Sequence, residues 1–267
     1  MRVVITGSTK GIGLGLAREF LARGHDVVVS SRAAVAVANA VAELRSAFPQ
    51  RKVTGQACDV VAYDQVQALW DAAVAAHGGV DIWINNAGRD NAKLPFHELP
   101  PDEYVQTVNT NLVGLMHCNR VAIAGMYAQG SGMIWNMEGF GSDGQVRATL
   151  APYGSTKYAL RYFTKAMIGE LKDSPVKVGY LSPGMVVTEL LVQPPGRRAK
   201  DWERTKKILN ILADTVETVT PWLVEGMLRE HGRHGAAVRW LTTPKVLWRF
   251  LSSGFRKRDV IGSFNAA

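Results

Sequence analysis

The residues Thr6-Gly7-Ser8-Thr9-Lys10-Gly11-Ile12-Gly13 follow an apolar segment, Arg2 to Thr6, and precede a helical apolar pattern that ends at Gly24. Glycines at a strand-to-helix turn let the backbone approach a pyrophosphate, and the helix N-terminus offers unpaired N–H donors there. The stretch therefore predicts a dinucleotide site, with a purely structural turn as the alternative. The predicted site residues are Gly7, Ser8, Thr9, Lys10, Gly11, Ile12 and Gly13.

Strand-like and helical segments alternate along the rest of the chain. Strands are predicted at residues 27–30, 52–57, 81–84, 133–137 and 176–182, and helices at 34–48, 63–77, 102–128 and 153–171. This alternation predicts a parallel sheet. Because no linker or repeat divides the 267 residues, we expect one domain over residues 1–267. Its predicted fold is α/β, a doubly wound Rossmann-type sheet of about seven parallel strands.

Composition excludes several classes of protein. The 47% apolar content argues against disorder, and no apolar run reaches the ~18 residues of a membrane span. Cys58 and Cys118 lack metal-site or disulfide spacing and the six histidines are scattered, so we expect no metal site. The basic residues behind the net charge of +8 do not interleave with aromatics on a nucleic-acid fold, so no nucleic-acid partner is expected. No signal or transit peptide is apparent, which favours a cytoplasmic location.

The end of the second strand indicates which dinucleotide binds. An acid that bonds the ribose 2′-hydroxyl is expected about 20 residues beyond the glycines, but Ser30, Ser31 and Arg32 stand there. Arg32 and Lys10 would instead offer positive charge to a 2′-phosphate. The sequence therefore favours NADP(H), unless Arg32 is only a solvated loop charge.

The chain resembles the short-chain dehydrogenase/reductase family over most of its length. The matching motifs are Thr6-Gly7-x-x-x-Gly11-Ile12-Gly13, Asp59, Asn85-Asn86-Ala87-Gly88, Asn111-x-x-Gly114, Tyr153-x-x-x-Lys157, Ser182-Pro183-Gly184 and Thr188. The resemblance implies further cofactor contacts at Ser31, Asp59, Asn86, Ala87, Gly88, Pro183, Gly184, Val186 and Thr188. It also implies that Lys157 holds the nicotinamide ribose, that Asn111 connects to a proton-relay water, and that the protein is a homodimer or homotetramer paired through the helices of the Asp102 and Tyr153 segments.

Within that family the chain is most similar to the chlorophyll b reductases. The segments that carry this likeness are residues 136–142, 153–157, 182–191 and 240–245. The resemblance implies reduction of a formyl group on a magnesium chlorin, a large hydrophobic substrate.

Tyr153 and Lys157 are the predicted acid pair for carbonyl reduction. They lie four residues apart, so they share one face of a helix. A neighbouring ammonium is expected to lower the pKa of the Tyr153 hydroxyl below its usual value near ~10. The pair would then donate the proton that the reduced oxygen needs.

The chain departs from the family pattern where the fifth strand ends. Glu138 and Gly139 stand where the family has a paired-serine motif. Ser142 could return its hydroxyl to the substrate oxygen if the backbone doubles back. The alternative oxyanion donor is a backbone N–H near Gly139 or Gly141, because glycine permits close approach.

Each of two late segments allows two interpretations. Residues 189–225 are predicted to form an apolar substrate lid, with a simple packing helix as the alternative. Residues 228–258 carry eight cations against the single acid Glu230, and positions 247, 250, 251 and 255 share a helical face. This pattern predicts either peripheral membrane contact or packing on the core or on a partner subunit.

Three functions remain open from the sequence. The first is chlorophyll b reduction with NADPH, and the second is reduction of another hydrophobic carbonyl such as a steroid, lipid or acyl ketone. The third is a non-catalytic NADP-binding regulator, which the missing strand-end serine would permit.

Overall fold

A computed structural model describes residues 1–192, 202–255 and 258–265. Seven strands form one sheet in which every neighbouring pair is parallel. In chain order they are β1 (Arg2–Thr6), β2 (Asp26–Ser31), β3 (Val53–Ala57), β4 (Ile82–Asn85), β5 (Gly132–Met137), β6 (Val176–Ser182) and β7 (Ala237–Arg239). Their spatial order is β3-β2-β1-β4-β5-β6-β7, which confirms the predicted doubly wound sheet.

The helices cover both faces of this sheet. They are α1 (Gly11–Ala22), α2 (Ala34–Ala47), α3 (Tyr63–His77), α4 (Pro101–Val108), α5 (Gly114–Gln129), α6 (Ala151–Glu170), α7 (Trp202–Leu212), α8 (Val216–Arg229), α9 (Thr243–Ser252) and α10 (Val260–Asn265). One buried cluster joins α1, α2 and α8 to the sheet, and a second joins α3 and α5 to its other face. Strands buried on both faces explain the continuous apolar runs of the sequence.

The single helix predicted over residues 102–128 is interrupted. A π-helical turn, Asn109–Val113, lies between α4 and α5. It places Asn111 where its side chain is 2% exposed. Such turns often occur at functional sites, and apolar periodicity does not reveal one extra residue in a turn.

The predicted lid, residues 189–225, includes elements with different positions in the fold. Residues 193–201 lie outside the described residues. In α8 the side chains of Val219, Leu223 and Val224 belong to the main core, and a Cβ at Gly15 of α1 would lie 2.8 Å from Thr220 Cγ2. The part of the predicted lid that forms α8 is therefore a core helix, and a lid role for the residues before α8 stays a prediction.

The predicted basic segment, residues 228–258, likewise contains both core and surface elements. Its residues 237–239 form the edge strand β7, and residues 256–257 lie outside the described residues. In α9 the exposed side chains include Leu247 (60%), Trp248 (61%) and Leu251 (75%). The apolar face of α9 is therefore outward, and the expectation that it packs on the core is not met.

The opposite side of α9 attaches to a buried carboxylate, Asp214. Its oxygens accept hydrogen bonds from Trp240 Nε1 at 2.6 Å, from Arg249 Nη2 at 2.7 Å and from Arg258 Nη2 at 2.6 Å. The backbone of Asp214 also pairs with Met185 and Val187, in the loop after β6. Asp214 thus joins this loop to the C-terminal segment.

We expect Asp214→Asn to lower the unfolding free energy by about 3 kcal/mol at pH 7, because two guanidinium groups lose a buried counter-charge. Burial raises the pKa of Asp214, but the hydrogen bonds outweigh it and hold the pKa below its usual value. A depressed pKa stabilises the folded state above the unfolded pKa and loses that effect as the pH falls. Urea unfolding at pH 7 and pH 3 should therefore show the difference between wild type and variant shrinking in acid.

The matched control is Asp173→Asn, because that side chain is 87% exposed. It should change the unfolding free energy by less than about 0.5 kcal/mol. Equal losses in the two variants would contradict the role given to Asp214.

Candidate active site

The glycine turn lies between the end of β1 and the start of α1. Gly7 and Gly11 have φ angles of +64° and +57°, which side chains disfavour. A Cβ at Gly7 would lie 2.9 Å from Ala87 Cα, and one at Gly13 would lie 2.6 Å from Asn86 Nδ2. The turn therefore packs against the loop after β4. The side chain of Lys10 does not cap the α1 N-terminus, whose N–H groups could bind an anion.

Three polar side chains hold this turn in place. Asn86 Nδ2 donates to the carbonyls of Thr6 at 2.9 Å and Gly7 at 2.8 Å, while Thr6 Oγ1 accepts from the amides of Asn86 and Ala87. Ser8 is fully buried, and its hydroxyl donates to Ile5 O and accepts from Ser30 N. The Ser8 side chain therefore joins β1 to β2.

The predicted phosphate-binding cations lie at the surface beside this turn. Arg32 is exposed after β2, and Ser31 is the last residue of that strand. Lys10 forms an ion pair with Glu189, from the loop after β6. Thr188 in the same loop approaches the turn, since a Cβ at Gly11 would lie 3.3 Å from its Cγ2. Asp59 bonds to the backbone of Val61 after β3.

Tyr153 and Lys157 lie together on α6, as predicted. Lys157 is buried, its Nζ lies 5.8 Å from the centre of the Tyr153 ring, and it donates to Met137 O at 3.1 Å. Burial lowers the pKa of Lys157 to about 8, against the opposing effect of Glu138 and Asp90. Burial also raises the pKa of Tyr153, which contradicts the expected lowering by Lys157. At neutral pH the pair is therefore a protonated phenol beside a largely protonated amine.

The side chain of Asn111 hydrogen-bonds to the protein backbone and to a threonine. Its Oδ1 accepts from Arg89 N at 2.8 Å, and its Nδ2 donates to Arg89 O at 2.8 Å and to Thr156 Oγ1 at 3.1 Å. The side chain thus fixes the loop after β4 next to α6. The proton-relay role implied by the resemblance stays a prediction.

The chain doubles back after β5, which was the condition for a role of Ser142. Ser142 Oγ donates to Gly139 O at 2.7 Å and accepts from Gly139 N at 3.0 Å. The Ser142 hydroxyl and the Gly139 amide, two of the candidate oxyanion donors, therefore bond to each other, and the Gly141 N–H stays a third candidate. Gly139 itself faces the acid pair, because a Cβ there would clash with the Tyr153 hydroxyl and lie 3.1 Å from Lys157 Cε.

A cavity of about 190 Å³ opens in front of this pair. Its walls come from the loops after β4, β5 and β6, from α6 and from α7. The α7 side chains Trp202, Thr205 and Leu209 line it, as do Leu190 and Leu191. Leu209 and Leu212 of α7 are also buried, which agrees with the packing alternative, and the lid role of α7 stays a prediction.

Two residues that shape the site carried no sequence motif. Asn91 is fully buried and joins the loop after β4 to Tyr153 N and Thr149 O. Arg147 lines the cavity and donates to Thr205 Oγ1 at 2.6 Å, which connects the loop before α6 to α7. Both act across long sequence separations, so local spacing could not indicate them.

The arrangement matches a known protein family. A family model described as short chain dehydrogenase matches residues 1–195. The chain belongs to this family. Among short chain dehydrogenases of known structure, a gluconate 5-dehydrogenase from Burkholderia cenocepacia, in complex with NADP and tartrate, is 28% identical with a TM-score of 0.76. That comparison covers 90% of this chain and 92% of the other.

Curated members of the family resemble this chain more closely in sequence. The chain is 42% identical to "Chlorophyll(ide) b reductase NOL, chloroplastic" of Oryza sativa subsp. japonica, over 94% of this chain and 74% of that protein. It is 40% identical to "Probable chlorophyll(ide) b reductase NYC1, chloroplastic" of Arabidopsis thaliana, over 96% of this chain and 53% of that protein. The chain thus spans about half the length of NYC1.

We expect Ser142→Ala to lower the unfolding free energy by about 1 kcal/mol, because a buried hydroxyl paired with Gly139 is lost. Removal of an oxyanion donor lowers kcat by ~100-fold. Because the Ser142 hydroxyl hydrogen-bonds to the Gly139 peptide, we expect kcat for carbonyl reduction to fall much less than that. Urea unfolding and steady-state kinetics measure the two effects. A ~100-fold loss would make Ser142 the oxyanion donor, and Ser155→Ala, on the exposed side of α6, is the control.

Proposed function

We propose that this chain is an NADPH-dependent carbonyl reductase that converts the formyl group of chlorophyll b to a hydroxymethyl group. The observation that carries the proposal is the extent of the likeness to chlorophyll(ide) b reductases. The family model ends at residue 195, but the match to NOL covers 94% of this chain. The similarity therefore includes segments after β6, some of which line the cavity and would contact substrate.

The glycine turn and its neighbours fit NADP(H). The positive φ angles of Gly7 and Gly11 give the turn the tight backbone path that would bring the N–H groups of the α1 N-terminus to a pyrophosphate. Arg32 and Lys10 would hold the 2′-phosphate, while Asn86, Gly88, Pro183, Gly184, Val186 and Thr188 lie along the cavity. When bound, NADPH supplies the hydride that the formyl carbon accepts.

The remaining chemistry belongs to this chain. Tyr153 donates its hydroxyl proton to the formyl oxygen, so the product is a neutral alcohol. Its raised pKa keeps that proton in place at neutral pH until the oxygen gains charge. Lys157 lies 5.8 Å from the Tyr153 ring centre and stabilises the resulting phenolate. Apolar side chains from α7 exclude water from the reacting carbonyl.

The size of the cavity favours a second candidate function. About 190 Å³ is less than the roughly 300–1,000 Å³ of typical ligand pockets. A chlorin would therefore insert only its formyl-bearing edge between the described residues, with the macrocycle outside. A smaller hydrophobic ketone, such as a steroid, lipid or acyl substrate, would need less rearrangement of α7.

An assay with chlorophyll b and NADPH tests the proposal. We expect the pigment absorption bands to shift as the formyl conjugation is lost, with one NADPH oxidised for each pigment reduced. Tyr153→Phe should abolish this reduction and leave NADPH affinity almost unchanged, because it removes only the proton donor. NADPH oxidation with small ketones alone would favour the second candidate, and NADPH binding without any turnover would favour a regulator.

Cofactor preference provides a separate test. We expect Arg32→Asp to reverse the preference from NADPH to NADH, because a carboxylate repels a 2′-phosphate and accepts a hydrogen bond from a 2′-hydroxyl. The measurement is kcat/KM with each nucleotide. Lys172→Asp, at the distant end of α6 and 75% exposed, makes the same charge change as a control. Equal selectivity in the two variants would exclude Arg32 from the site.

We also propose peripheral contact of α9 with a membrane surface. Exposed Leu247, Trp248, Leu251 and Phe255 form an apolar face, while Arg249 is turned toward Asp214. Apolar and aromatic side chains on one face of a basic helix are typical of interfacial binding. Among the described residues, no helix is long and apolar enough to cross a bilayer. Subunit pairing through α4, α5 and α6, where Val105, Met116 and Tyr162 are exposed, stays a prediction.

Sedimentation with anionic liposomes at low salt tests the membrane contact. We expect the full chain to pellet with the vesicles, and the double variant Leu247→Ser, Leu251→Ser to remain in the supernatant. Val35→Ser is the control, because that side chain is 73% exposed elsewhere. To test the basic residues, Arg256 and Lys257 are changed to Glu. Arg258 is left unchanged, because it hydrogen-bonds to Asp214. If wild type and double variant sediment alike, α9 has another role.

A further inference from the structure

Glu138 is a buried carboxylate next to the acid pair. It follows β5 directly, and its amide donates to Leu181 O at 2.7 Å. Its side chain is only 3% exposed. A carboxylate at this depth is costly unless its charge is compensated or used. Nothing in the fold requires an acid here, since a neutral side chain could preserve the backbone pairing with β6.

The nearest cations compensate this charge only in part. Arg161 Nε lies 3.6 Å from Glu138 Oε1, and Arg239 Nε lies 3.5 Å from Oε2. Both separations exceed those of a strong charge-assisted hydrogen bond, and both arginines are partly exposed. Among the described residues, Oε1 accepts no hydrogen bond. An acid placed only for stability would be expected to have shorter, paired contacts.

The chain on either side of Glu138 contacts Lys157. Met137 O accepts a hydrogen bond from Lys157 Nζ at 3.1 Å, and a Cβ at Gly139 would lie 3.1 Å from Lys157 Cε. Glu138 therefore follows β5 between two residues that touch the same lysine, and Glu138 and Lys157 both line the cavity in front of Tyr153. Its charge raises the pKa of Lys157, in opposition to the burial that lowers this pKa to about 8.

Other groups around Lys157 do not replace this effect. Tyr153 faces it from α6 and is neutral when protonated. Asp90, from the loop after β4, also raises the pKa of Lys157, but Asp90 forms an ion pair with Lys93. Behind Glu138 lie the cations Arg161 and Arg239 and the phenol of Tyr180.

We propose that Glu138 is a positioning residue whose carboxylate keeps Lys157 protonated in the reducing site. The inference rests on the proposed function, because it assigns Glu138 a part in carbonyl reduction. The carboxylate stands where the family resemblance predicts a hydroxyl group. It acts through Lys157, by charge, rather than by donating a hydrogen bond to substrate.

The first test is the pH profile of kcat/KM for NADPH-dependent reduction of chlorophyll b. In the wild type we expect the rate to fall as the pH rises through the pKa of Lys157, near 8. Glu138→Gln should move this fall to lower pH by roughly one unit. Activity would then be nearly unchanged at pH 6 and several-fold lower at pH 8.

Two further variants separate charge from structure. Glu138→Asp retains the carboxylate and should restore most of the wild-type profile. Arg239→Gln removes a cation beside the carboxylate and should move the fall to higher pH, opposite to Glu138→Gln. A loss of activity that is equal at every pH in Glu138→Gln, or an unchanged midpoint, would overturn the proposal.

The second test does not depend on turnover. NMR of protein with ¹³Cε-labelled lysine follows the protonation of Lys157 directly, with the resonance assigned by its loss in Lys157→Arg. We expect the midpoint of this resonance to fall by about one pH unit in Glu138→Gln. An unchanged midpoint overturns the role of Glu138 even in an active enzyme. A shifted midpoint in a protein that reduces no chlorophyll b supports that role and rejects only the proposed substrate.

Discussion

The amide of Asn86 bonds the carbonyls of both Thr6 and Gly7, and the rest of the site depends on this connection. It joins the ends of β1 and β4, which are neighbours in the sheet although β2 and β3 separate them in sequence. The strand order reverses between β1 and β4, and a cleft opens at such a point in doubly wound sheets. By holding the glycine turn against this cleft, Asn86 places the α1 N-terminus and the acid pair on the same edge of the sheet.

A buried polar layer under the site connects the strands and helices that form this edge. Asn136 on β5 accepts hydrogen bonds from Asn85 on β4 and Asn119 on α5, and its own amide donates to Thr164 on α6. Each partner comes from a different element, so the layer aligns two strands with two helices. Buried amides with all these partners stabilise one arrangement, because any displacement would leave a polar group unsatisfied. Lys157 precedes Thr164 by about two turns on the same face of α6, so this layer also holds Lys157 in position.

In the C-terminal segment, one buried charge turns the basic side of an amphipathic helix inward and its apolar side outward. Arg249 is attracted inward by Asp214, and residues 247 and 251, two positions away on either side, lie on the opposite face. Leu247 and Leu251 are exposed as a result. The backbone of Asp214 also hydrogen-bonds to the loop after β6, which lines the cavity. Asp214 therefore connects α9 to that loop.

The sequence alone determined the sheet, the glycine turn and the Tyr153–Lys157 pair, because each follows from short-range patterns. Apolar runs alternating with helical periodicity specify parallel strands, and a spacing of four residues places two side chains on one helical face. Only the tertiary structure decided that Ser142 bonds the Gly139 peptide, that Asn91 and Arg147 shape the cavity, and that α8 is a core helix. It also decided the pKa of Tyr153, which burial and the charge of Asp90 raise. These features depend on burial and on contacts between distant segments, and neither quantity is encoded in local residue spacing.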